Sequence, residues 1–170
     1  SLMTAAMVIF TTVEIDSEYI RLACIFVLLG FGMGLTLAPA TTVVMDSIPS
    51  DKAGVGSATN DASREVGGAL GIAIGGSVLN EYYQRNMIVP EGLELGNLPL
   101  ESFPAAMQIG GDLLAEGNLL GLALIENAQH AFMEGMIASA TVMGVIALIN
   151  AILVKLYMPR KVAINSTAEE

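Results

Sequence analysis

A chain of 170 residues that is 54% hydrophobic and 14% charged, with a net charge of −10, suits an apolar surrounding and not nucleic acid, which selects basic surfaces. Its lone cysteine, Cys24, and lone histidine, His130, give it neither an intramolecular disulfide nor a zinc-type Cys/His set. The sequence holds no P-loop, no dinucleotide fingerprint and no convergent nucleophile, base and metal set, so no catalytic residue, cofactor or metal is expected, and an enzyme is the least favoured class.

In chain order, residues 1–13 are apolar but too short to cross a bilayer, and they lack the basic start and small-residue cleavage site of a signal peptide. We read them as the end of a truncated membrane helix, and the chain as a piece of a larger protein. A short acidic outer loop, 14–19, follows. From Leu22 to Met45 there are 24 residues without a charge. As a helix they span about 36 Å, against about 30 Å of hydrocarbon. A soluble protein of this size cannot surround a helix that is apolar on every side, so 20–46 reads as a membrane helix.

Residues 47–61 form the next connector, and 62–82 read as a shorter, Gly-rich membrane helix. A long acidic connector, 83–130, contains Pro90, Pro99 and Pro104, which argue against one continuous helix. Within it, Leu113, Leu114, Leu120 and Leu124 fit either an amphipathic helix on the membrane surface or an outward extension of the last span. That span is 131–158, and 159–170 form a basic tail. With the link from Asp46 to Glu65 and the tail on the cytoplasmic side, Lys52, Arg64, Lys155, Arg160 and Lys161 are inside, five of the seven basic residues, and the positive-inside rule selects this orientation.

Several residues carry more than hydropathy. Gly30 and Gly34, then Gly67, Gly71 and Gly75, recur every four positions, which keeps them on one helix face where another backbone can come close. Pro39 removes one helical hydrogen bond and supplies a kink or hinge, with Thr41 and Thr42 near enough to satisfy freed backbone groups. Asp61, Arg64 and Glu65 open the third segment. They form an interfacial cap with a local ion pair or, in the sharper reading, a proton-carrying group. Glu134 sits at the edge of the last span with the same two readings. Asn150, inside that span, should face protein.

The stretch Gly30-Phe-Gly-Met-Gly-Leu-Thr-Leu-Ala-Pro-Ala40, the run Ser47 to Ala58 and the run Asn60-Asp-Ala-Ser-Arg-Glu-Val-Gly-Gly-Ala-Leu-Gly71 resemble the C-terminal region of the major facilitator superfamily, in its fourteen-helix drug:proton antiporter branch. Ala131-Phe-Met-Glu-Gly-Met136 is similar to the same branch. The resemblance implies an all-α bundle of polytopic membrane helices and a cytoplasmic C-terminus in the cell membrane. It also implies proton-coupled export of small amphipathic compounds by alternating access. The partners implied are the lipid bilayer, protons and the missing N-terminal helices, which hold the family's main carboxylates. The alternative is a non-transporting membrane subunit that docks a partner through its Gly-rich faces.

Overall fold

The computed structural model describes residues 2–13 and 19–157. Among them there is no strand. Six α-helices follow one another: α1 (Leu2–Phe10), α2 (Tyr19–Asp46), α3 (Ala53–Asn86), α4 (Leu98–Glu101), α5 (Phe103–Ala115) and α6 (Leu120–Tyr157). Most of the outer loop expected at 14–19 and the tail at 159–170 lie outside the described residues.

Two helices, α2 and α6, are long and apolar enough to cross a membrane. At 1.5 Å per residue, the 38 residues of α6 reach about 57 Å, well beyond the hydrocarbon. Its uncharged stretch from Gly135 to Val154, 20 residues or about 30 Å, matches that thickness. The segment Leu120–Glu134 therefore projects past it, carrying Glu126, His130 and Glu134.

The segment expected at 62–82 is part of a longer helix. α3 begins at Ala53, so the connector between α2 and α3 is only six residues, Ser47 to Lys52, with a 3-10 turn at Ser50–Lys52. Most residues from Ala53 to Asn60 are small or polar, which hides a helix from an apolarity reading without preventing it from forming. This moves Asp61 two turns inside α3, where the helix dipole has faded, so it does not sit at the helix start. Within α3 the uncharged run is Val66 to Asn80, 15 residues, about 22 Å.

The long connector is a folded cap. Ser102 accepts the Ala105 N–H and starts α5, with Pro104 in its first turn. The helix considered at 112–129 is divided. Gly117, at φ +81°, ends α5 in a Schellman turn in which the Asn118 N–H reaches the Leu113 carbonyl at 2.9 Å. The Asn118 side chain then accepts the Leu120 N–H at 3.0 Å and starts α6. α5 folds back on α6 where Gly110 meets Gly121: a Cβ on Gly110 would lie 3.0 Å from the Gly121 carbonyl oxygen.

The buried core of the described residues lies at this end. Tyr83, Met87, Ala106, Leu124, Ala128 and Ala131 form it, and Phe103 and Phe132 pack against it. Phe103 stacks on Phe132 at 4.4 Å between ring centroids and meets Tyr83 edge-on at 6.2 Å. The buried Tyr83 hydroxyl donates to the Pro99 carbonyl at 2.7 Å. Removal from water raises its pKa above the ordinary 10.0, so the phenol stays a donor.

Candidate functional site

The most extensive helix pairing joins α3 to α6, antiparallel, in steps of four residues. A Cβ on Gly135 would lie 2.6 Å from the Leu79 carbonyl oxygen. One step on, Ser139 donates to the Gly75 carbonyl at 2.9 Å. One further step on, the position of a Gly71 Cβ lies 3.6 Å from the Met143 methyl. The seam then ends: nothing stands within 4 Å of a Cβ on Gly67, and residues 61–70 of α3 are exposed along their whole length. Gly71 and Gly75 thus face α6, and Gly67 faces none of the chain's own described helices.

Gly30 and Gly34 also meet nothing within 4 Å. The glycine of α2 in close contact is Gly32, where a Cβ would lie 3.2 Å from the Met3 backbone nitrogen of α1. α1 also meets α6, where a Gly144 Cβ would lie 3.2 Å from the Met7 Cβ. α2 runs unbroken through Pro39. Thr41 and Thr42 donate to the Leu37 and Ala38 carbonyls at 3.0 and 3.1 Å, not to the Leu35 carbonyl that Pro39 deprives of its donor. Asn150 bonds its own helix, at the Ile146 carbonyl, 3.0 Å away, and is exposed.

The four charged candidates fall in two places. Asp61, Arg64 and Glu65 line an open depression whose other wall is Met33 and Leu37 of α2. Arg64 lies 3.8 Å from Asp61, with both side chains more than half exposed, so water screens the pair and its strength is small. Glu134 is on α6, next to the Gly135–Leu79 crossing, about 27 Å along α3 from Asp61. The structure does not bring it to the Asp61 cluster. A charged floor beside an apolar wall can hold an amphipathic cation or pass a proton. Among the described residues no group of three or more acidic, His or Cys side chains could hold a metal ion.

Sequence reasoning overlooked Tyr83, Phe103 and Phe132 of the cap and the small-residue face of α6. The latter was visible: Ala131, Gly135 and Ser139 are spaced by four, as are the glycines opposite.

The chain is 29% identical over 132 residues to the multidrug efflux pump LfrA of Mycolicibacterium smegmatis, covering 76% of this chain and 25% of that protein. It is 32% identical over 107 residues to the methyl viologen resistance protein SmvA of Salmonella typhimurium, covering 62% and 21%. It is 29% identical over 150 residues to the tetracenomycin C resistance and export protein of Streptomyces glaucescens, covering 83% and 27%. The curated relatives at 26–32% identity are multidrug efflux or resistance proteins of the major facilitator type. Like theirs, the architecture of its described residues is all-α, with two helices long and apolar enough to cross a membrane. It spans 20–27% of the length of the curated relatives it matches. No protein-family model matches the chain, and no solved structure matches it.

Proposed function

We propose that this chain is the C-terminal part of a secondary exporter that moves small amphipathic compounds out of the cytoplasm by proton-coupled alternating access. The carrying observation is its similarity to efflux and resistance proteins across 62–83% of its length in the three relatives described. The open faces around Gly30, Gly34 and Gly67 support a larger bundle, since small residues in lipid admit neighbouring helices. Secondary transporters place their substrate site between repeat halves, so the rest of the bundle supplies the other wall. In this reading the Asp61, Arg64 and Glu65 cluster sits at the cytoplasmic mouth and Glu134 at the outer edge. Each is an ion or gating candidate, while Pro39 and the open faces at Gly30, Gly34 and Gly67 let helices shift.

The test is dye efflux from energised bacteria that lack their own pumps and express the complete transporter. Export of a cationic dye should appear and should collapse with a protonophore. Accumulation equal to that of cells without the protein would sink the reading, and export that survives the protonophore would remove proton coupling.

A further inference from the structure

The outer connector behaves in sequence like a loop, yet it contributes to the hydrophobic core cluster of the described residues. Its core is shared by three helices and the chain beside them: α3 gives Tyr83, the residue just past α3 is Met87, α5 gives Phe103 and Ala106, and α6 gives Leu124 and Phe132. No residue of α1 or α2 enters it. Two side-chain hydrogen bonds tie the cap crosswise. Tyr83 of α3 reaches Pro99 of α4, and the Asn127 amide of α6 donates to the Ile88 carbonyl just past α3, at 2.9 Å. Below the cap, the Gly135–Leu79 and Ser139–Gly75 crossings continue the same pairing. By contrast α2 and α3 face each other across the open Met33–Asp61 depression.

We propose that residues 87–119 are a static clamp and not a lid: they lock the adjoining ends of α3 and α6 at one spacing, and the pair moves as a single body while other helices change neighbours. The physical ground is bistability. Close-packed cores have one arrangement, and a segment that opens and closes needs two of similar energy. A glycine set against a backbone carbonyl, an aromatic stack and two crosswise hydrogen bonds supply one arrangement only. The cap also bridges the α3–α6 gap from the side on which both helices leave their uncharged stretches. A change in tilt of one helix against the other would have to break it.

This inference rests on the exporter reading for its transport readout, and its test separates the two. In the complete transporter with Cys24→Ser, the pair Gly75→Cys and Ser139→Cys is introduced. A Gly75 Cβ would lie 3.2 Å from the Ser139 Oγ, a separation that a disulfide spans. The clamp predicts that the pair oxidises readily and that the oxidised protein exports dye at the rate of the reduced one. Loss of about tenfold on oxidation, restored by dithiothreitol, overturns it. So does failure of the pair to form a disulfide. A second measurement is independent of transport: nitroxides at the exposed Glu101→Cys and Glu126→Cys report the distance from cap to α6. One narrow distance, unchanged by dye and between acidic and neutral pH, is expected. A broad or two-peaked distribution overturns the clamp even where the cysteine pair spoils activity. If the Cys24→Ser parent moves no dye, the exporter reading fails while the nitroxide distance still decides the clamp.

Discussion

Ser139 of α6 donates its hydroxyl proton to the carbonyl of Gly75 in α3, 64 residues away in the chain, at 2.9 Å. Gly75 leaves room for the bond; a Cβ there would lie 3.2 Å from the Ser139 oxygen, which would have to give by a few tenths of an ångström. It ties α6, apolar enough to span a membrane, to the Gly-rich α3.

Ser139→Ala should therefore be mild. The Gly75 carbonyl keeps its helical N–H donor, and interhelical hydrogen bonds in membranes average about 0.6 kcal/mol. Thermal unfolding in detergent should shift by a degree or two at most, on the order expected for so small a change. A large drop would mean that the hydroxyl does more than join two helices.

Gly135→Val should be severe. Its Cβ would lie 2.6 Å from the Leu79 carbonyl oxygen, which is backbone and cannot rotate away. Overpacking of this kind costs about 1–3 kcal/mol. Gly67→Ala is the control, with nothing within 4 Å inside this chain. Folded yield in membranes and the unfolding midpoint should fall for Gly135→Val and hold for Gly67→Ala. Equal behaviour would refute the crossing.

Gly71→Leu should harm the complete transporter more than Ala73→Leu. A Cβ on Gly71 would lie 3.6 Å from the Met143 methyl, whereas Ala73 is exposed, about 200° around the helix. The comparison is dye efflux normalised to membrane-embedded protein. Matching activities would show that this face tolerates a wedge.

Tyr83→Phe leaves the buried Pro99 carbonyl without its donor, a loss of about 1–3 kcal/mol. The phenol also sets a pH limit. Its folded pKa is raised above 10.0 by burial, so its contribution is complete below pH 10.0 and drains away as pH climbs through the folded value. Hydrogen exchange across the cap should quicken above that pH in the parent protein. The Phe variant should lack this alkaline step; an identical step in both would assign it to another group.

Orientation is open to labelling in a Cys24→Ser background. Cysteines at the exposed Glu94 and Ser50 should differ: an impermeant maleimide added to intact cells should reach the first and not the second. The opposite pattern would invert the molecule.

The helices of this fold were legible where apolarity and helix coincide. The run from Leu22 to Met45 lies inside α2, and the uncharged stretch from Gly135 to Val154 lies inside α6. The start of α3 was not, because Gly54, Gly56 and Ser57 carry neither an apolar stripe nor a strong helix preference. The cap was hidden for a different reason. Its core joins Tyr83 to Phe103 and Phe132, residues far apart in the chain whose encounter depends on where Gly117 turns α5 back. Of the expected packing glycines, Gly71 and Gly75 meet a helix within the chain. Spacing names a face but not its neighbour, so it could not separate them from Gly30, Gly34 and Gly67.

Pro39 has a consequence for how α2 can be turned in a bilayer. The Leu35 carbonyl, four residues back, has no amide proton to accept, and neither Thr41 nor Thr42 supplies one. Acyl chains offer no donor, and an orphan carbonyl among them costs several kcal/mol. That side of α2 must look toward protein or water. The opposite side, about 200° away, presents Met33 and Leu37 to the charges on α3. The Leu35 flank of α2 therefore calls for a donor-bearing neighbour, while the opposite flank borders the charges of α3.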